Sequence, residues 1–233
     1  MGEINARGIG APAIFLRMQG CHLRCYLKTM GILCDTPEGL EKEGGKTFSF
    51  DELIGELLQI TDRTGIKYIC LTGGDPLYCD TNEMKTLLSR LIVQYGYSIS
   101  VETSGTLSVT PYNYLRPEIS WVLDYKLKSC GVSSKFRMEN LKGFTQNDCI
   151  KFVVADEEDW QEFLTVIQDL PASFNIGVGV FWGGKISSAE LWTRVISLGL
   201  CRYNNIQLNM QAHKLITHAD NTDVNVTVIP KEI

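Results

Sequence analysis

Short apolar runs alternate with amphipathic stretches along most of this chain, which restricts the folds open to it. The apolar runs predict strands at residues 13–18, 68–71, 98–101, 121–125, 150–154, 175–180 and 206–208. Several of the stretches between them predict helices. Strands that alternate with helices run parallel and are joined by right-handed crossovers. We therefore expect an α/β protein built on a parallel sheet or barrel.

Local signals locate four helix starts. Ser49 and Ser187 each precede a glutamate by three residues, the pattern of a capping box. A third helix is predicted from about Asn82, where apolar residues recur at helical spacing. A fourth follows the acidic segment 156–158, a typical helix N-terminus.

The size and charge of the chain exclude several classes of protein. Its 233 residues suit a single domain, and 44% hydrophobic with 21% charged residues is ordinary globular usage. The net charge of −5 argues against a nucleic-acid surface. No apolar run approaches the length of a membrane span. We expect one cytoplasmic domain over residues 1–233. The residues after about 216 would be a C-terminal extension, either an edge strand or a tail outside the barrel.

The polar and glycine-rich segments fall where predicted strands end. A cysteine cluster follows the first strand, residues 72–76 follow the second, residues 102–106 follow the third, and residues 124–131 close or follow the fourth. In parallel sheets and barrels the chemistry lies on loops at the carboxyl ends of strands. The pattern therefore predicts one site at one end of the sheet.

Three of the eight cysteines are clustered, at Cys21, Cys25 and Cys34. Clustered cysteines in a reducing compartment indicate metal or redox chemistry. The others are expected to be small buried hydrophobic residues: Cys70, Cys79, Cys130, Cys149 and Cys201.

Three thiolates suit a 4Fe–4S cluster with one open iron, which can chelate S-adenosylmethionine. The main alternative is a structural zinc site, with His22 or Cys79 as the fourth ligand. The other alternative is that the three cysteines are only packing residues. The glycine-rich loop 72–76 favours the cluster, because glycines expose backbone that can hold the methionine end of the cofactor.

These motifs resemble one family. Residues 10–25 and the element Cys34-Asp35-Thr36 are similar to the cluster-binding region of the 7-carboxy-7-deazaguanine synthases, which are radical S-adenosylmethionine enzymes. The Gly-Gly-Asp-Pro loop, the Glu-Thr-Ser-Gly-Thr strand end, Asp124-Tyr125-Lys126 and Gln211-Ala212-His213-Lys214 follow in the family's order. The resemblance covers about residues 8–216.

The resemblance implies a fold, a reaction and partners. The fold would be an incomplete parallel (β/α)6 barrel of the radical S-adenosylmethionine type. The reaction would be the radical ring contraction of 6-carboxytetrahydropterin to 7-carboxy-7-deazaguanine with loss of ammonia, on the route to deazapurine nucleosides such as queuosine. The cofactors would be a 4Fe–4S cluster, S-adenosylmethionine and Mg²⁺. A flavodoxin- or ferredoxin-like electron donor and a homodimer would be the protein partners.

The resemblance also implies roles for individual residues. The cluster ligands would be Cys21, Cys25 and Cys34, and Thr36 would bind magnesium. The substrate would be contacted by Glu3, Arg17, Thr72 and His213. The S-adenosylmethionine would be lined by Gly73, Gly74, Asp75, Ser104, Asp124 and Lys126.

The chain departs from the family at three places. Eight residues separate Cys25 from Cys34 where two are usual, and Leu33 replaces the usual aromatic residue. Asp75 stands where glutamate is usual, and most of a preceding substrate-touching strand is absent, with Glu3 as its expected remnant. Two other functions fit parts of the pattern: a glycyl-radical activating enzyme, and a non-enzymatic zinc or degenerate metal-binding protein.

Overall fold

One parallel sheet contains every strand of the chain that the structure, a computed structural model, describes. The described residues are 11–27, 31, 33–34, 36–115, 118–202, 205–209 and 226–230. The strands are β1 Ile14–Met18, β2 Thr47–Phe48, β3 Tyr68–Gly73, β4 Ser98–Thr103, β5 Ile119–Tyr125, β6 Cys149–Val154, β7 Asn175–Val180, β8 Asn205–Leu208 and β9 Val226–Pro230. Their order across the sheet is β2-β9-β1-β3-β4-β5-β6-β7-β8.

The seven strands predicted from the sequence are all present, with ends that differ by at most two residues. The two-residue strand β2 was not predicted. The sequence predicts an edge strand or a tail outside the barrel for the residues after about 216. Instead β9 lies within the sheet, where it pairs with β1 on one side and β2 on the other. That pairing satisfies backbone groups of β1 that an edge position would leave open.

The described α-helices are α1 Phe50–Thr64, α2 Thr81–Ser89, α3 Glu157–Gln168 and α4 Ser188–Ser197. The capping box at Ser49 is complete. At Ser187 only half of it forms, because the Glu190 carboxylate pairs with Arg194. Short 3₁₀ turns replace helices in the crossovers from β4 to β5 and from β5 to β6. The described part of the chain is thus a parallel α/β fold with fewer α-helices than six strand–helix units would have.

The two faces of the sheet differ in polarity, and β1 illustrates the difference. Ile14, Leu16 and Met18 are buried in the main core, which also contains apolar residues of α1. Phe15 and Arg17 point to the opposite face because side chains alternate along a strand. Strand alternation therefore puts Arg17 on the face opposite the main core.

Candidate active site

A cavity of about 160 Å³ lies where the strands end at their carboxyl termini. It is lined by most of the residues that sequence analysis selected: Arg17, Cys21, Cys25, Cys34, Thr36, Thr72, Gly73, Gly74, Ser104, Asp124 and Lys126. Phe15, Leu23, Leu40, Glu102, Thr103 and Lys151 complete the lining. Glu3 and His213 lie outside the described residues. The cavity therefore joins the cysteine loop to groups from β1, β3, β4, β5 and β6.

Backbone hydrogen bonds hold the start of the cysteine loop against residues 39–40 of the same chain. Gly20 N donates to Gly39 O at 3.1 Å, and Cys21 N donates to Leu40 O at 3.0 Å. Burial raises the pKa of the Cys21 thiol to about 11, so metal binding must displace its proton.

Backbone amides also approach two of the three sulfurs. Leu23 N donates to Cys21 Sγ and Thr36 N donates to Cys34 Sγ, each at 3.4 Å. Among the described residues, no three His, Cys, Asp or Glu side chains converge on a single metal position. A cuboidal cluster does not need such convergence, since each thiolate binds a different iron. The donor set therefore fits a cluster.

The glycine pair after β3 allows the backbone to pass very close to the cysteine loop. Gly74 N donates to Met18 O at 2.9 Å, and an added Cβ at Gly74 would lie 2.3 Å from both Gly20 O and Gly39 O. Gly73 has a φ of +126°, and a Cβ there would lie 2.1 Å from Met18 O. Glycine is required at both positions by this packing, and both still line the cavity.

Asp75 lies beneath the cavity wall and does not line it. Its carboxylate is 1% exposed and accepts hydrogen bonds from Leu77 N, Thr103 Oγ1 and both the amide and the hydroxyl of Ser104. These contacts tie the loop after β3 to the end of β4. Among the described residues, the Asp75 carboxylate therefore supports Ser104 from behind the cavity wall.

The network continues from Ser104 to the cysteine loop, and its direction can be deduced. The Ser104 hydroxyl gives its proton to Asp75, so it accepts from Thr106 Oγ1 at 2.8 Å. Thr106 then accepts from His22 Nε2 at 2.7 Å. His22 is therefore the Nε2-protonated tautomer, and its buried Nδ1 has no hydrogen-bond partner among the described residues.

Arg17 is the cation of the cavity wall on β1. Its guanidinium lies 5.7 Å from the centre of the Phe15 ring, and no carboxylate of the described residues pairs with it. Thr72, its lateral neighbour on β3, lines the same cavity. This part of the wall offers a cation and a hydroxyl to an anionic group.

Asp124 and Lys126 form an ion pair at the end of β5. Lys126 Nζ lies 2.8 Å from Asp124 Oδ2. The other oxygen, Asp124 Oδ1, is buried without a hydrogen-bond partner among the described residues. A buried carboxylate oxygen strongly favours a donor, so it suits a hydroxyl or amino group of a bound molecule.

Sequence analysis missed a second, deeper ion pair. Lys151 Nζ on β6 lies 3.4 Å from Glu102 Oε2 on β4, and both side chains are largely buried. The Cys70 thiol donates to Glu102 Oε1 at 3.4 Å. Burial, followed by the charge of Glu102, raises the pKa of Cys70 well above its usual range. The sequence did carry a signal for this pair: each of the two apolar strands contains one charged residue, and both of these residues line the cavity.

Sequence analysis also assigned Cys130 to plain packing, but the structure places it beside the cysteine loop. Its side chain and that of Cys25 pack against the same small apolar cluster and line the same cavity. Hydrogen bonding with Cys25, followed by burial, raises the pKa of Cys130 well above its usual range. The separation of more than a hundred residues between the two cysteines concealed this contact from spacing arguments.

The described helices include none that is both long and apolar enough to cross a membrane.

Comparisons with known proteins place the chain among named relatives. No protein-family model matches it. The 7-carboxy-7-deazaguanine synthase of Methanospirillum hungatei JF-1 is 31% identical over 208 residues, which cover 89% of this chain and 78% of that protein. Those of Leptospira interrogans and Clostridium acetobutylicum are 30% and 29% identical, and 92% of each chain is covered in both comparisons.

A solved structure has a similar fold. The crystal structure of QueE from Escherichia coli matches with a TM-score of 0.57 and 23% sequence identity, over 87% of each chain. This likeness concerns the fold alone.

Proposed function

Because the chain belongs to the 7-carboxy-7-deazaguanine synthase family, we propose that it converts 6-carboxytetrahydropterin to 7-carboxy-7-deazaguanine with loss of ammonia. The family consists of radical S-adenosylmethionine lyases, so the chain is an enzyme with a small-molecule substrate. One observation carries the proposal: the three clustered cysteines, Arg17 and Thr36 all line one cavity.

The residues present fit a 4Fe–4S cluster and S-adenosylmethionine. Cys21, Cys25 and Cys34 would hold the cluster, since thiolates are its usual ligands. The bound cluster and S-adenosylmethionine together supply the radical chemistry that starts the ring contraction. Asp124 Oδ1 would accept a hydrogen bond from the bound cofactor, and Gly74 would leave room for it.

The substrate carboxylate fits the opposite part of the wall. Arg17 presents a planar guanidinium, whose paired N–H groups match a carboxylate. Thr36 would supply a hydroxyl oxygen for Mg²⁺, which takes few protein ligands and keeps most of its waters. Thr72 orients the substrate beside Arg17. Glu3 and His213 stay predicted substrate contacts outside the described residues.

The proposal extends to the molecule and its partners. We propose that the sheet curls into the incomplete barrel of the family, because residues of β1 and β6 line one cavity although three strands lie between them. We also propose one catalytic domain, a homodimer, a cytoplasmic location and a flavodoxin- or ferredoxin-like electron donor. The product serves deazapurine biosynthesis, including that of queuosine.

The experiment that tests this proposal is anaerobic purification followed by measurement of iron content and S-adenosylmethionine cleavage. Wild-type protein is expected to be brown and to cleave the cofactor under reducing conditions. Cys21→Ala, Cys25→Ala and Cys34→Ala are each expected to abolish cleavage, because three thiolates are needed for a cluster with one open iron. Cys149→Ala, a buried cysteine on β6 outside the cavity lining, is the control and should retain cleavage.

Two results would contradict the proposal. A colourless wild-type protein loaded with zinc would indicate a structural metal site. Full iron content and activity in Cys34→Ala would show that the long loop does not supply the third ligand.

A further inference from the structure

Cys130 packs directly against the cysteine loop. It ends the 3₁₀ turn Lys128–Cys130 that follows β5, and its side chain packs with that of Cys25 against one small apolar cluster. Both cysteines, together with Cys34, line a second cavity of about 60 Å³. A fourth cysteine therefore lies beside a proposed cluster ligand.

The backbone holds Cys130 from two sides. Tyr26 N, in the residue after Cys25, donates to Cys130 O at 3.0 Å, so the cysteine loop is tied to the turn. On the other side, Ser129 N donates to Asp159 Oδ1 at 2.8 Å, so α3 anchors the same turn. The position of the thiol relative to Cys25 is thus set by the fold.

Cys130 packs against apolar side chains on two sides, while Asp124 and Lys126 line the same cavity. It packs against two small clusters that contain Leu23 and Val132 on one side, and Leu27 and Phe181 on the other. A hydrogen bond in such surroundings is stronger than in water, because the local dielectric is low.

We propose that Cys130 is a positioning residue whose thiol donates a hydrogen bond to the Cys25 sulfur and makes the bound cluster easier to reduce. The inference rests on the proposed function, because it takes Cys25 as a cluster ligand. A ligating cysteine is a thiolate with no proton to donate, so Cys130 is the donor of the pair. Hydrogen bonds to cluster sulfurs are among the determinants of reduction potential. They disperse negative charge, which favours the reduced state.

The test compares three variants by reductive titration. Cys130→Ala removes the donor, Cys130→Ser keeps a hydroxyl donor, and Cys201→Ala changes an exposed cysteine as the control. Each full-length protein is loaded anaerobically with iron and sulfide, and the midpoint potential is followed by the paramagnetic signal of the reduced cluster. At the wild-type midpoint, we expect the ratio of reduced to oxidised cluster in Cys130→Ala to fall roughly fivefold to tenfold, the order of one hydrogen bond. Cys130→Ser should recover part of this loss, and Cys201→Ala should match the wild type.

Two results would overturn the inference. One is an unchanged midpoint potential in Cys130→Ala at full iron content. The other is loss of iron in folded Cys130→Ala and Cys130→Ser, which would make Cys130 a ligand instead of a donor. Cys130→Val, which fills the site without a donor, replaces the alanine variant if that one unfolds. Failure of the wild-type protein to load a cluster would instead refute the proposed function, so the two failures are distinguishable.

Discussion

Arg17 is the residue at which the proposed substrate binding can best be tested separately from cofactor chemistry. Its guanidinium faces the cavity, and no described carboxylate neutralises it. Arg17→Ala is expected to weaken binding of the pterin carboxylate by about 2–5 kcal/mol, the typical cost of a broken charge pair in a water-poor site. Cleavage of S-adenosylmethionine without substrate should be nearly unchanged. The measurement is a pair of assays on the same preparation, uncoupled cleavage and pterin turnover.

Two further variants control that experiment. Arg17→Lys keeps the charge but loses the bidentate fork, so it should recover only part of the binding. Arg63→Ala removes an exposed arginine of α1 and should leave both assays unchanged. Loss of both activities in Arg17→Ala would show a structural role for the arginine, and retention of both would remove it from the site.

The scattered cysteines allow a test of burial that does not depend on activity. Burial raises the pKa of Cys149 to about 12, so at pH 8 only about one molecule in ten thousand carries its thiolate, the form that alkylating agents attack. As long as the pH is below 12, each increase of one pH unit should raise the thiolate fraction tenfold. In cluster-free protein at pH 8, iodoacetamide should modify the exposed Cys201 well before Cys149, as peptide mass spectrometry can measure. Equal rates at the two cysteines would contradict the fold.

Individual residues differ in how far the sequence could locate them. Arg17 was predictable because strand alternation fixes its face, and Cys21 and Cys25 because their spacing is short. The Glu102–Lys151 ion pair was not predictable. Its two residues are 49 positions apart in the sequence, and only the order of strands in the sheet brings them together. Cys130 was missed for the same reason, since only the turn after β5 brings it to Cys25.

The loop after β3 is the element whose packing supports the site most directly. A Cβ at Gly74 would overlap the carbonyl oxygens of Gly20 and Gly39. Gly74→Ala is therefore expected to destabilise the protein by about 1–3 kcal/mol, as overpacking usually does, and to reduce iron loading. Thermal unfolding and iron content measure the two effects.

Gly55→Ala is the matched control for that substitution. Gly55 lies inside α1, and nothing is within 4 Å of a Cβ added there. Alanine in a helix interior is favoured over glycine, so this variant should gain up to about 1 kcal/mol with normal iron loading. Equal stability of the two variants would contradict the close approach seen at Gly74.

Strands and helices were largely predictable because their signals are local. Short apolar runs predicted seven strands, and the pair Ser49 and Glu52 predicted the start of α1. The element β2 was too short to show a period, and β9 gained its place from pairing with β1. The crossovers without α-helices carry 3₁₀ turns, which have no strong sequence period.

In the whole molecule, the apolar core and the charged cavity residues lie on opposite faces of the sheet. One face is buried by apolar residues and helices, while the other presents Arg17, Glu102, Asp124 and Lys151 to one cavity. Buried charged pairs are weak contributors to stability, so their retention on the cavity face is best explained by the site.

An assay of product formation tests the proposed function most directly. Anaerobically reconstituted protein is supplied with S-adenosylmethionine, Mg²⁺, a reductant and 6-carboxytetrahydropterin, and the products are identified by mass spectrometry, with Cys34→Ala as the inactive control. The proposed function predicts 7-carboxy-7-deazaguanine from the wild-type protein and none from the control. Reductive cleavage of S-adenosylmethionine by the wild-type protein without any 7-carboxy-7-deazaguanine would contradict it.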